Sequence, residues 1–349
     1  MIPNYPRNCW YVAARSEEVG RNLLARRLLD RPVLLYREES GTVVALEDRC
    51  AHRAYPLSKG RLDGDQLVCG YHGFVYDRAG TCVRVPSQPN VAYGVCVHAF
   101  PVRELAPFIW IWMGQPGRST LVSSPHLPWL KDGWASSGTG VRVAANYMLV
   151  HEHYLDLTHI MEMHRAQAPP GLDALPPLDR VNISETSVTY SRGIPPSPLA
   201  EWEAEATGLP RDRDYTRHYQ GTFLSPAVTV ESWDIDDGSG KLYSQARIQA
   251  ISPESPTSTH LFWEFARNYE TERELVGKHL HDVFEPVMRQ DVAVLETIQA
   301  HAGYEAAAHG AHVSADAGVL KVRAIVRSML ANEAGLTERG TRAAHRPRA

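Results

Sequence analysis

Two short loops constrain this chain more than any other feature. Cys50-Ala51-His52 and Cys69-Gly70-Tyr71-His72 are separated by 16 residues, each flanked by glycine and each following a strand-like run. Together they offer two thiolates and two imidazoles, so the surrounding fold must close on a metal centre. Such a set suits one tetrahedral zinc, or a [2Fe-2S] cluster with two cysteines on one iron and two histidines on the other. Common zinc sites pair Cys with Cys and His with His. Here each short pair mixes the two, which lets each loop give one ligand to each iron. Replacing two thiolates with neutral imidazoles makes a cluster less negative and raises its reduction potential, which suits electron relay toward oxygen.

The rest of the chain is built around two domains, the number expected for 349 residues. From Trp10 to about Met113 the text is short and strand-like with glycine punctuation, as in a small β sandwich or barrel. The Pro-, Gly- and Ser-rich stretch around residues 115–128 marks the junction. The boundaries are therefore read as 1–120, 121–336 and a frayed tail at 337–349. In the second domain a partly helical stretch spans Tyr147 to Met163. Residues 165–215 read as an irregular, proline-rich functional loop or lid. Strands are expected at Val188 to Ser191, Thr222 to Leu224, Val228 to Trp233, Leu242 to Ile251 and Thr259 to Phe265. A helix pair follows, roughly Thr271 to Ala300 and Ala315 to Ala334.

Composition excludes several partners. Lys plus Arg number 36 against 40 Asp plus Glu, a net charge of -4, with no basic excess for nucleic acid or an anionic membrane. No apolar run nears the 18 or so residues of a spanning helix; the strongest, Phe108 to Met113, reads as a buried strand. The first fifteen residues carry Pro3, Pro6, Asn4 and Asn8, unlike a secretory signal. The five cysteines are odd in number and sparse, as expected of a reducing compartment. A cytoplasmic protein is expected, with Cys9, Cys82 and Cys96 as small core residues.

A second constellation lies at Asp156-Leu-Thr-His159-Ile-Met-Glu-Met-His164. Asp156 and His159 share a helical face. His164 stands about 140° further round an ideal helix, so convergence of the two rings needs a bulge or a helix end. Two histidines and one carboxylate form the facial triad that leaves positions open on Fe(II). Asp291 and Glu296 on the penultimate helix offer that carboxylate, and Asp282 and Glu285 lie on the same helix. Asp156 itself reads either as a carboxylate orienting an imidazole or as one favoured by a helix dipole. No GxGxxG context or nucleotide-binding βαβ unit appears, so reducing electrons must come from another protein.

The text Cys50-Ala-His-Arg-Ala-Tyr-Pro-Leu-Ser-Lys-Gly60 and Cys69-Gly-Tyr-His-Gly-Phe-Val-Tyr-Asp77 resembles the Rieske domains of ring-hydroxylating and demethylating oxygenases. The resemblance continues through Asn8-Cys-Trp-Tyr-Val-Ala-Ala14, Ile109-Trp-Ile-Trp-Met-Gly114 and Leu127-Pro-Trp129, and is closest to the vanillate O-demethylase and dicamba monooxygenase group. It implies an α+β fold: an N-terminal all-β Rieske domain and a C-terminal catalytic domain of antiparallel sheet and helices, helix-grip-like. It implies Cys50, His52, Cys69 and His72 as ligands of a [2Fe-2S] cluster, and His159, His164 and Asp291 as ligands of mononuclear Fe(II). It makes Asp156 a bridge from a cluster histidine of one subunit to an iron histidine of the next in a head-to-tail homotrimer. It adds O2 as co-substrate and a separate ferredoxin or flavin reductase through which NAD(P)H acts. Where this family often has Asn near the iron, the chain has His153, a candidate catalytic residue beside Asp156.

The activity so implied is monooxygenation: hydroxylation or oxidative O- or N-demethylation of a small aromatic compound, an aromatic acid above all. Hydroxylation of a methyl or alicyclic C–H bond is the alternative within the family, and a simple electron carrier the alternative outside it. Pocket walls are expected from Thr222 to Trp233, Leu242 to Ile251 and the 165–215 segment. Gln249 is the candidate polar substrate contact. Arg247 reads either as a carboxylate clamp or as a solvent-facing strand residue.

Overall fold

A computed structural model describes residues 5–91 and 94–344, the last nine of these by backbone alone. The described chain divides into two compact units, one of residues 7–124 with 252–255, the other of residues 5–6, 125–251 and 256–344.

The first unit is all-β apart from short 3-10 turns. Its strands are β1 (Trp10–Arg15), β2 (Leu24–Leu28), β3 (Arg31–Arg37), β4 (Val43–Glu47), β5 (Arg61–Asp63), β6 (Gln66–Val68), β7 (Val75–Tyr76), β8 (Cys82–Arg84), β9 (Val102–Leu105) and β10 (Phe108–Trp112). They form three small antiparallel sheets, ordered β1-β10-β9, β2-β3-β4 and β5-β6-β7-β8. The apolar run of β10 is buried at every position because both faces of the strand meet core. Leu34, Tyr36, Leu46, Leu67 and Tyr76 form the core beneath the Cys/His loops, with Cys50 and Cys69 at its edge. Cys9 and Cys82 are buried as expected, but Cys96 is exposed.

The second unit holds one seven-stranded sheet, ordered β11-β17-β16-β15-β14-β13-β12. Its strands are β11 (Ala135–Val143), β12 (Arg180–Ile183), β13 (Val188–Ser197), β14 (Tyr215–Ser225), β15 (Val228–Asp236), β16 (Leu242–Ser255) and β17 (Ser258–Arg267). The helices are α1 (Tyr147–Leu155), α2 (Ile160–Met163), α3 (Glu201–Thr207), α4 (Glu274–His301), α5 (Gly303–Ala308) and α6 (Ala317–Ala344). Alternation fixes the inward faces: Val188, Tyr190, Arg192 and Ile194 of β13, and Tyr215, Arg217 and Tyr219 of β14, are buried between more exposed neighbours. Helix α4 lays Val276, Leu280, Phe284, Val287, Met288, Asp291 and Leu295 along one buried stripe. Phe284 anchors it, its ring stacked on Phe265 at 5.3 Å and edge-on to Trp202 at 5.0 Å.

Two expectations need correction. Residues 165–215 are not one structureless loop: they include β12, most of β13 paired with β14, and α3, which ends at Gly208 in the left-handed region. The described part of the segment expected to fray, residues 337–344, is helical. Ala, Glu and Arg are good helix formers, and extending an existing helix needs no new nucleus, so α6 continues to Ala344. Residues 345–349 lie outside those described.

Candidate metal centres and substrate cavity

The two Cys/His loops close in the same way. Cys50 N donates to Tyr55 O at 2.9 Å while Ala54 N returns to Cys50 O at 2.9 Å; Cys69 N donates to Phe74 O at 2.8 Å while Gly73 N returns to Cys69 O at 3.1 Å. Each turn needs a left-handed residue four positions after its cysteine, supplied by Ala54 (φ 55°) and Gly73 (φ 70°). Glycine lets the neighbouring backbones meet: a Cβ on Gly60 would lie 2.1 Å from Val68 O, and one on Gly70 2.6 Å from Lys59 O.

The Cys50 and Cys69 thiols are buried within hydrogen-bonding reach of one another, whereas His52 and His72 are exposed with ring centroids 4.6 Å apart. Burial, with Cys50 adding to it, pushes the Cys69 thiol above its ordinary value. Tyr76 Oη lies 3.2 Å from Cys50 Sγ and accepts from Ala51 N at 3.1 Å. No three of the four side chains lie close enough together to share one ion, as a single tetrahedral zinc would require. Thiol beside thiol and imidazole beside imidazole fits the two irons of a mixed-ligand cluster.

The second centre forms where the helix breaks. Helix α1 ends at Leu155, Asp156 caps a 3-10 turn through Thr158 N (3.0 Å) and Thr158 Oγ1 (2.8 Å), and α2 ends at His164. The helix end required by the His159–His164 spacing is therefore at His164 itself. His159 Nδ1 donates to Asp156 O at 2.9 Å, which turns its Nε2 inward. From α4, Asp291 Oδ1 lies 2.7 Å from His164 Nε2, 3.0 Å from His153 Nε2 and 3.8 Å from His159 Nε2. His153 stacks on His159 with centroids 4.1 Å apart.

His153, His159 and Asp291 lie within one ion's reach of each other, and His164 hydrogen-bonds the same carboxylate oxygen. His153 Nε2 is buried without a well-formed hydrogen bond, an orphaned donor atom that fits a nearby cation. Burial, reinforced by the His153 charge, pushes His159 down to about 4, so its ring is neutral and able to ligate at neutral pH. Burial alone would raise the Asp291 carboxyl, but the His153 and His164 imidazoles outweigh it and hold it below the usual carboxylate range. This donor set fits Fe(II).

The other carboxylates are engaged elsewhere. Glu296 Oε1 accepts from Ala144 N at 2.8 Å, Asp282 pairs with Lys278 and Glu285 with Arg289. Glu152 is held by Arg323 at 2.6 Å, and His151 is buried against Thr229.

His164 also lines a cavity whose wall is mainly apolar, as small-molecule sites are. Ile160, Trp202, Tyr219, Trp233 and Phe284 supply apolar wall, and Arg192, Arg217 and Arg247 bring charge to it. Arg247 does not face solvent: it pairs with fully buried Glu231 and lies over Trp233, 5.1 Å from the ring centroid. Gln249 is not part of the lining. In the amide orientation that satisfies its surroundings, its nitrogen donates to Thr229 O at 2.8 Å and Arg247 O at 3.2 Å. Sequence reasoning missed Arg192 and Arg217, although each occupies an inward position of an alternating strand.

Comparison with known proteins agrees with both centres. Residues 9–101 match the Rieske [2Fe-2S] domain, and residues 143–332 match the vanillate O-demethylase oxygenase C-terminal domain. The toluene-4-sulfonate monooxygenase system iron-sulfur subunit TsaM1 of Comamonas testosteroni is 29% identical over 346 residues, covering 95% of this chain and 99% of that protein. The dicamba O-demethylase oxygenase component of Stenotrophomonas maltophilia is 31% identical over 310 residues, covering 86% and 90%. The crystal structure of dicamba monooxygenase bound to dicamba superposes with a TM-score of 0.84 at 26% identity, covering 95% of this chain and 99% of that one. An electron carrier would need no second domain of this kind. No helix among the described residues is long and apolar enough to cross a membrane.

Proposed function

The chain belongs to the Rieske oxygenases with a vanillate O-demethylase-type catalytic domain, and from that premise we propose that it hydroxylates or oxidatively demethylates an aromatic acid, drawing electrons from a separate reductase. When bound, the [2Fe-2S] cluster supplies single electrons and the mononuclear iron binds O2 beside the substrate.

The residues divide this work. Cys50 and Cys69 would hold one iron and His52 and His72 the other, and the exposed imidazole edge would be where the electron donor docks. His159, His164 and Asp291 hold Fe(II). His153, stacked on His159, would fix the Asp291 carboxylate from its other side. Asp156 orients His159 through its carbonyl, and its carboxylate is directed to a cluster histidine of a neighbouring subunit in a homotrimer. Trp202, Trp233 and Phe284 would exclude water from the cavity and hold the ring. Methyl hydroxylation on oxygen or nitrogen gives a hemiacetal or carbinolamine that sheds formaldehyde, whereas C–H hydroxylation leaves an alcohol.

One observation carries this reading: His164 is both 2.7 Å from Asp291 and part of the cavity wall, so the residues that would hold the metal adjoin the cavity. The test is product analysis with a generic reductase across methoxy-, N-methyl- and C-methyl-arenecarboxylates under isotopically labelled O2. The expected result is label in formaldehyde or in an alcohol; no label in any product from reduced, iron-loaded protein would refute the proposal.

A further inference from the structure

Among the described residues, one cation lining the cavity has no acidic partner. Arg217, 2% exposed, meets Glu203 side-on: Nε lies 2.9 Å from Oε1 and Nη2 2.6 Å from Oε2, while Nη1 donates to Ser197 Oγ at 3.0 Å and Nη2 also donates to Pro198 O at 2.8 Å. Arg247 has Glu231. Arg192 is 3% exposed and lines the same cavity, yet its one partner among the described residues is the carbonyl of Pro176, bonded through Nη1. Its Nε and Nη2 are buried with no hydrogen-bond partner. Asp179, whose amide bonds to Ser191 O beside Arg192, is exposed and its carboxylate is engaged with Gly193 N.

A buried guanidinium without a counter-ion is costly. The two orphaned atoms, Nε and Nη2, form one edge of the guanidinium. That edge makes two parallel hydrogen bonds to planar or tetrahedral oxyanions, and Arg217 presents the same edge to Glu203. The position is fixed by strand register: Arg192 lies opposite Tyr219 between the inward residues Tyr190 and Ile194.

We propose that Arg192 is the specificity-determining residue of the cavity, binding the anionic substituent of the aromatic substrate, a carboxylate or sulfonate, in a two-point contact through Nε and Nη2. This rests on the cavity being the substrate site, as proposed above, and deepens that reading by assigning the acid group to one side chain. The ring then lies between Arg192 and the His164 wall, with its reacting group away from the acid.

The test measures binding, not turnover. Anaerobic, iron-loaded protein is titrated with 4-methoxybenzoate, 4-methoxybenzenesulfonate and neutral 4-methoxybenzamide, following fluorescence of Trp202 and Trp233. Wild type should bind at least one of the acids tenfold or more tightly than the amide, the preferred oxyanion identifying the substrate's acid. Arg192→Gln should abolish that preference with amide binding unchanged, and Arg192→Lys should keep part of it. Because the free protein buries an uncompensated charge, Arg192→Met should also melt higher than wild type, and benzoate should raise the melting temperature of wild type alone. An acid-to-amide ratio near one in wild type, or unchanged in Arg192→Gln, overturns the proposal. Neither outcome depends on oxygenation, so failure of the catalytic reading is seen separately as absence of labelled product.

Discussion

His164 Nε2 and Asp291 Oδ1 lie 2.7 Å apart although 127 residues separate them in sequence. The contact joins the end of a broken helix to the buried stripe of a long one, and it distinguishes Asp291 from the other carboxylates of α4. Asp291→Ala should lower iron from about three to about two per chain and leave the visible spectrum of the cluster intact. Glu296→Gln, which alters only the acceptor for Ala144 N, should keep all three. Iron analysis of the two variants side by side checks this; loss of iron from Glu296→Gln would move the ligand.

His153 stands 3.0 Å from the same oxygen, and its role separates from that of His159 and His164 on substitution. His153→Asn should retain iron with affinity weakened on the order of 10–100-fold, the effect typical of residues that orient ligands. His159→Ala and His164→Ala should lose it outright. Metal titration monitored by the EPR of the nitric oxide adduct distinguishes them, and complete loss in His153→Asn would make this imidazole a ligand.

Asp156 spends Oδ1 on Thr158 and its carbonyl on His159. Asp156→Asn preserves both contacts while removing the carboxylate charge. Both metal centres should therefore load normally, whereas oxidation of the reduced cluster by O2 in the presence of substrate should slow on the order of 10–100-fold. Stopped-flow absorbance of the cluster reads this directly. An unchanged rate would remove Asp156 from the coupling path.

His151 predicts an acid limit for the catalytic unit. Fully buried, with Nδ1 2.7 Å from Thr229 Oγ1 and Nε2 3.1 Å from Pro226 O, it is pushed down to about 4 by burial against a lesser upward pull from that carbonyl. The unfolded chain takes up this proton near pH 6.5. Between those values the unfolded state binds the extra proton, so stability is complete above pH 6.5 and falls with pH, by on the order of 3 kcal/mol at pH 4. His151→Gln should flatten the fall in urea midpoint between about pH 7 and pH 5; an unchanged slope would assign it to other groups.

Legibility in the sequence followed how local each feature is. Cys50, His52, Cys69 and His72 could be read because two self-closing loops hold them at fixed spacing, and His159 and His164 because one helix break presents both. Asp291 was singled out only through the family resemblance; the buried stripe Val287, Met288, Asp291, Leu295 shows why a carboxylate there faces inward. Strand β11 was missed: its serines and glycines carry no apolar alternation, and its pairing with β17 supplies the order. Arg192 was missed because the strand was ended at Ser191, one residue short. The alternation of Val188, Tyr190 and Arg192 was present, but an arginine on the inward phase reads as an outward residue until the pairing with β14 is known. Gln249 misled for the converse reason: its place in β16 faces the core, where backbone carbonyls take up its amide.

The central claim is that electrons stored on a Cys/His-ligated cluster are spent at the His159, His164 and Asp291 iron. A single-turnover experiment tests it most directly. Iron-loaded protein, pre-reduced and saturated with an aromatic acid that it binds, is freed of reductase and mixed with isotopically labelled O2. The account predicts loss of the reduced-cluster EPR signal in step with the appearance of labelled product, and neither event in Asp291→Ala. A cluster that stays reduced while product forms, or that oxidises equally fast in Asp291→Ala, would contradict it.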